Sequence, residues 1–232
     1  MTYALEATDV CGGYGPVEVV RNLNLNVKAG EVVALLGPNG AGKSTVLRLL
    51  SGENGLSKGE VRIDGAVVKS ALHQRARKGL GYVSGEKPVF SKLTVQDNLR
   101  VSGVEKKRAL ELFPELEERW RTLAGSLSGG EQQMLALTKT LGRGIRILMA
   151  DELSLGLAPI IVDRLLSVIR KAADEDGVAV LTVEQHVSKV MKIADRGYVM
   201  QRGRVVLEGS REELKKGLEK ITHAYLAGGP SA

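Results

Sequence analysis

Residues 37–45 read Gly37-Pro38-Asn39-Gly40-Ala41-Gly42-Lys43-Ser44-Thr45, a fit to the pattern G-x-x-x-x-G-K-[ST]. These residue types suit one chemistry, the cradling of phosphates. Glycines let the backbone come close and turn its N–H groups inward. Lys43 would neutralise the β- and γ-phosphates of a nucleotide, and the Ser44 hydroxyl would ligate Mg2+. A helix opening near Lys43 adds the positive end of its dipole. Far along the chain, Asp151-Glu152 closes the apolar run Ile147-Leu148-Met149-Ala150. Asp151 suits Mg2+, directly or through water, and Glu152 suits a general base that polarises an attacking water. Alone, such an acid pair reads as the start of a helix. Beside a phosphate loop it reads as the other half of a site. Ser128-Gly129-Gly130-Glu131 is a third segment suited to an anion, although by itself it reads as a helix cap.

These groups need particular elements to hold them. Glu31–Leu36 reads as a buried strand running into the loop, and Val46–Leu50 as the helix leaving it, ended by Gly52. Arg146–Ala150 and Val178–Val183 read as further buried strands, with helices over Pro159–Ala173 and Val187–Ala194. Residues 3–30 alternate weakly around turn signals and predict short antiparallel strands. Hairpins are expected over Gly59–Val68, turning at Asp64-Gly65, and over Tyr198–Glu208, turning at Arg202-Gly203. Between Thr94 and Leu123 the apolar residues recur at helical spacing, and Pro114 is expected to divide that stretch into two helices. A helix follows Gly129-Gly130, and a terminal one covers Glu212–Ala227. Buried strands alternating with helices imply an α/β fold around a mainly parallel sheet.

Composition narrows the functional classes. The chain has 232 residues, 43% hydrophobic and 26% charged, enough to bury a core without disulfide or metal staples. Its apolar runs are far below the roughly 20 residues of a spanning helix. The start, Met1-Thr2-Tyr3-Ala4-Leu5-Glu6, has no signal-peptide pattern, and a single cysteine, Cys11, fits a reducing compartment. The expected location is therefore the cytosol. The 33 basic residues outnumber the 27 acidic ones by six, but they are scattered rather than blocked, which argues against nucleic acid as a partner.

The order phosphate loop, Leu127-Ser128-Gly129-Gly130-Glu131-Gln132-Gln133, then Asp151-Glu152 resembles ATP-binding cassette (ABC) ATPases over essentially the whole chain. The nearest likeness is to the ATPase subunits of branched-chain amino-acid importers. It is carried by Leu112–Leu116, Leu123–Ala136, Ser154–Pro159, Val89–Val95 and Ala194–Val199. The resemblance implies one nucleotide-binding domain over 1–232: a P-loop core with a mainly parallel sheet, an antiparallel β subdomain and a small helical subdomain near 85–140. It implies ATP and Mg2+ as cofactors, and a head-to-tail dimer with an identical or paralogous second ATPase subunit. In that dimer Ser128, Gly129, Gly130 and Glu131 cap the nucleotide of the other copy. It also implies transmembrane permease subunits docking around Gly85–Leu99, an extracytoplasmic substrate-binding protein, and a peripheral place on the cytoplasmic membrane face.

Tyr14 stands where the family's adenine-stacking aromatic stands; a turn tyrosine packed on the sheet is the other reading. Gly85 stands where a glutamine is expected, with Glu86 beside it as a substitute. Counting back from Asp195 puts Gln185, not His186, in the place of the family's histidine, where it would hydrogen-bond a γ-phosphate as a third catalytic group beside Glu152 and Lys43. Leu153 replaces a frequent proline, and the helical insertion looks short. A non-transport cassette ATPase and a weakly hydrolytic ATP-binding regulator are the alternatives.

Overall fold

The computed structural model describes residues 2–85, 89–184, 187–214 and 216. Its main sheet contains β3 (Val32–Leu36), β6 (Leu80–Val83), β7 (Ile147–Asp151), β8 (Ala179–Val183) and the hairpin β9 (Arg196–Gln201) and β10 (Arg204–Ser210), in the order β10-β9-β3-β8-β7-β6. All neighbours pair parallel except β9 with β10. Parallel strands have both faces covered, so their residues are apolar without a break. β3 shows the alternation: Val32, Ala34 and Leu36 join one core cluster, Val33 and Leu35 the other.

A second, antiparallel sheet has the order β2-β1-β4-β5, from β1 (Leu5–Tyr14), β2 (Val17–Val27), β4 (Leu56–Ile63) and β5 (Ala66–Val67). The helix α1 (Lys43–Ser51) belongs to the cluster holding residues of both sheets, with Val46, Leu47, Leu49 and Leu50 fully buried. Each such side chain contributes about 1.5–3 kcal/mol, so α1 is anchored firmly enough to present its first turn as a rigid platform. Buried Arg75 clips its other end, donating to the carbonyls of Leu49 and Leu50, where the helix dipole is negative. On the opposite face of the main sheet lie α5 (Gly129–Leu141) and α6 (Pro159–Asp176), with α3 (Val95–Val101) and α4 (Lys106–Leu112) beyond them.

Several expectations need correction. The two N-terminal strands are long, 10 and 11 residues. Bulged positions with left-handed Asp9 and Asn22 interrupt their alternation, so the pattern reads shorter than the pairing. The break in the helical stretch falls at Ser102-Gly103, with Gly103 at φ 70, rather than at Pro114. Pro114 opens only a 3-10 turn over Pro114–Leu116, because the residue before a proline is pushed out of the α region, and Phe113 sits at φ −140. The structure adds strand β6 and the short helix α2 (Leu72–Arg77) to the elements expected from the sequence. Helix α7 (Val187–Val190) stops short of Ala194. Of the terminal helix expected over Glu212–Ala227, residues 211–214 are helical and positions 215 and 217–227 lie outside the described residues.

The expected hairpins hold. Arg202 and Gly203 have φ of 48° and 79°, the paired positive values of a type I′ turn. Gly203 also ties the hairpin to the site: its N–H donates to the Ala41 carbonyl at 2.9 Å, and its carbonyl accepts from Arg21 N–H at 2.9 Å. A Cβ there would collide with the Val19 carbonyl. Gly203→Ala should therefore lower stability by about 2 kcal/mol or more, read from urea unfolding midpoints. A loss below about 0.5 kcal/mol, the usual range for a surface change, would mean that the hairpin turn does not press on the Val19 carbonyl of β2.

Candidate active site

Strand β3 ends at Leu36 and α1 begins at Lys43, so the phosphate-type loop is the six residues between. Gly37 has φ 150°, and a Cβ on it would run into the Met200 carbonyl, so only glycine lets the loop leave the sheet this way. Gly42 caps α1 at φ 100° without any side-chain hydrogen bond. The first N–H groups of α1 therefore keep their capacity for an anion.

Lys43 is only 4% exposed. Its Nζ donates to the carbonyls of Gly37 at 2.9 Å and Pro38 at 3.1 Å and stands 4.0 Å from Glu152 Oε1. Burial lowers the ammonium pKa, and the nearby Glu152, Asp151 and Glu184 carboxyls pull it back up. Ser44 Oγ donates to Asp151 Oδ1 at 3.1 Å, across 107 residues of sequence. Burial raises the Asp151 pKa, the Ser44 bond opposes that, and the adjacent Glu152 adds to it. The Tyr82 hydroxyl approaches Asp151 Oδ2 at 3.5 Å, and its pKa is pushed up to about 12 by burial and then by Asp151.

Glu152 leaves β7 in the left-handed region, φ 49°, held there by its N–H to the Val183 carbonyl at 2.9 Å. An L-residue with a side chain rarely adopts that conformation, and such strain gathers at functional sites. Gly40, Gly42, Lys43, Ser44, Thr45 and Glu152 all line one cavity of about 560 Å³. An ammonium, a hydroxyl, the Glu152 carboxylate and a helix start without a side-chain cap thus converge on one space, with the Asp151 carboxylate held beside it by Ser44. Asp151 and Ser44 offer hard oxygen ligands, and among the described residues there is no cluster of three or more His, Cys, Asp or Glu. That donor set suits Mg2+, which takes one or two protein oxygens and completes its shell with phosphates and water.

The other predicted residues fall into three groups. Tyr14 is 46% exposed; its hydroxyl accepts from Arg48 Nη1 at 3.1 Å and Thr45 Oγ1 at 3.4 Å, so it leans on α1 with part of the ring still open. Ser128 caps α5, and with Glu131 it forms a reciprocal capping box: Glu131 N–H to Ser128 Oγ at 3.3 Å, Ser128 N–H to Glu131 Oε2 at 2.8 Å. None of residues 128–131 lines the cavity around Lys43. Gln185, His186 and Glu86 lie outside the described residues. A Cβ at Gly85 would stand 3.1 and 3.2 Å from the carbonyl oxygens of Asp151 and Glu152, so a glycine here lets the loop after β6 lie against the backbone of the acid pair.

Sequence reasoning missed Tyr82 and Leu155. Tyr82 touches Asp151 from a strand that was not anticipated, and Leu155 lines the cavity from the loop after the acids. For Leu155 the available signal was its place three residues after Glu152, in a segment too short to leave the site.

The sequence profile of the ABC transporter family matches residues 20–154. The high-affinity branched-chain amino acid transport ATP-binding protein BraG of Pseudomonas aeruginosa is 40% identical over 225 residues, covering 93% of this chain and 96% of the relative. The lipopolysaccharide export system ATP-binding protein LptB of Escherichia coli is 31% identical, covering 96% of each. Among solved structures, a nucleotide-free ATP-binding cassette from an ABC transporter superposes with a TM-score of 0.88 at 20% identity, over 99% of this chain and 100% of that one. A dimeric post-hydrolysis cassette bound to ADP and Pi superposes with a TM-score of 0.79 at 25% identity, over 89% and 98%. A phosphate loop alone recurs on many unrelated sequences, whereas identity at this level running almost from end to end does not; this protein belongs to the ABC transporter family, as an ATP-binding and ATP-hydrolysing subunit.

Proposed function

We propose that the chain, working as one nucleotide-binding domain over 1–232, is the ATPase of a branched-chain amino-acid importer. The observation that carries the site is the convergence of Lys43, Ser44 and Glu152 on one cavity, with Asp151 hydrogen-bonded to Ser44 beside it. In this reading the backbone of 37–45 and the Lys43 ammonium hold the β- and γ-phosphates, and Tyr14 stacks on the adenine. Ser44 and Asp151 would hold Mg2+, which would supply positive charge against the phosphates. Glu152 accepts a proton from the attacking water, and Gln185 contacts the γ-phosphate.

Ser128, Gly129, Gly130 and Glu131 close the cavity of a second ATPase subunit. Their absence from the chain's own cavity supports that reading. No helix among the described residues is long and apolar enough to cross a membrane. In this reading the pore comes from permease subunits, with this chain on the cytoplasmic face and a substrate-binding protein outside. Branched-chain amino acids are the cargo named for the relative at 40% identity.

The test is purification of the chain with its membrane partners and reconstitution into lipid vesicles. ATP hydrolysis should rise when the binding protein carries leucine, isoleucine or valine. Hydrolysis that ignores amino acids and responds to a lipid would move the cargo to export. A preparation that comes down with ribosomes or DNA instead would remove transport.

A further inference from the structure

Glu184 immediately follows β8 and is 3% exposed. A carboxyl taken that far from water needs hydrogen-bond donors. Two come from one residue, Ser154, itself 4% exposed: its hydroxyl donates to Oε2 at 2.6 Å and its N–H to Oε1 at 3.2 Å. The pair joins the end of β8 to the segment 152–158 that links β7 to α6.

That segment touches two places that matter. Glu152 and Leu155, the latter 63% exposed, line the nucleotide cavity at its start. Near its end Leu157 Cδ2 stands 3.4 Å from where a Cβ on Gly129 would lie, and one turn into α6 Ile161 Cγ2 stands 2.8 Å from the same point on Gly130. Its own internal backbone bonds are long, 3.3 Å for both Leu155 N–H to the Glu152 carbonyl and Leu157 N–H to the Ser154 carbonyl. Together with the Glu152 N–H bond to Val183, the Ser154–Glu184 pair ties the segment to the sheet by a short bond.

We infer that Glu184 is a positioning residue: through Ser154 it fixes the segment 152–158, and so sets Glu152 at the chain's own nucleotide and the Gly129–Gly130 pair at that of the second subunit. The inference rests on the function proposed above. Glu184 does not line the nucleotide cavity; it acts on geometry. Removing its carboxyl leaves the buried Ser154 N–H and hydroxyl without their acceptor. The segment must then shift to find one, and a displacement near 1 Å at a reacting group costs about 100-fold in rate.

The experiment compares Ser154→Ala, Glu184→Ala, Glu184→Gln and the double alanine variant in the full chain. It reads kcat and KM for ATP, equilibrium binding of a fluorescent ATP analogue, and the melting temperature. Each single alanine variant should lose about 10- to 100-fold in kcat, with KM and nucleotide affinity within about 3-fold of wild type. The double variant should be no worse than the poorer single one, because the two groups act as a unit. Glu184→Gln retains a carbonyl acceptor for Ser154 and should recover most of the rate. Folded variants with kcat within about 2-fold of wild type, losses that multiply in the double variant, or a loss carried by KM would each overturn the inference. If Glu184→Ala does not fold, Ser154→Ala, which removes only a hydroxyl, decides. A wild-type chain that binds no ATP would instead defeat the reading of the site itself.

Discussion

Lys43→Ala is expected to cut ATP turnover by at least about 100-fold, the usual cost of losing one preorganised charge stabiliser in a water-poor site. The Lys43 ammonium lies almost wholly inside the protein, held by the carbonyls of Gly37 and Pro38, in the same cavity as Ser44 and Glu152. Burial lowers its pKa while three acidic neighbours raise it, so its charge is poised against negative groups rather than hydrated. A triphosphate entering the cavity would replace those two carbonyls as the partner of Nζ. Alanine removes that charge and also leaves two loop carbonyls without their donor, so nucleotide affinity should fall together with kcat. Steady-state hydrolysis and equilibrium ATP binding measure the two, and a thermal melt confirms that α1, anchored by its apolar face, still folds. Unchanged turnover would remove the phosphate-loop assignment.

Glu152→Gln should cost about 100- to 10,000-fold in turnover, the range of a lost general base, with nucleotide binding preserved. The amide keeps the shape of the side chain and the left-handed backbone at φ 49° that the Val183 carbonyl holds. It loses the ability to accept a proton from water. If, as proposed, residues 128–131 close the cavity of a second ATPase subunit, stalled hydrolysis should trap the pair closed. An ATP-dependent dimer should therefore accumulate on size exclusion with this variant and disperse in ADP. A monomer that persists with ATP bound would sink the shared site. Loss of binding as great as the loss of rate would place Glu152 in nucleotide affinity rather than in the chemistry.

The two variants separate because the residues they change are legible in different ways. The loop 37–45 and the pair Asp151-Glu152 are contiguous, and their chemistry depends on local conformation: glycines that admit positive φ, a helix start, and an apolar strand delivering acids at its end. The turns at Asp64-Gly65 and Arg202-Gly203 were readable for the same reason, since both residues of each pair take positive φ. Where local signals were weak the reading failed. Strand β6 has four residues, one of them Gly81, whose missing side chain admits Thr140 and Ile145 from the neighbouring segment. The helical stretch breaks at Gly103, where a left-handed glycine ends α3 before Pro114 is reached.

By itself the sequence determined that this protein holds a phosphate loop, an acid-ended strand and a serine-capped glycine helix in an α/β chain, since each depends on residues within a few positions of one another. Only the tertiary structure decided which of these meet. Ser44 reaches Asp151 across 107 residues because β3 and β7 flank β8 in one parallel sheet. Ser154 reaches Glu184 across 30 because β7 and β8 end side by side. Strand order is set by how two buried cores pack on opposite faces of the sheet, a property of the whole chain that no local pattern encodes.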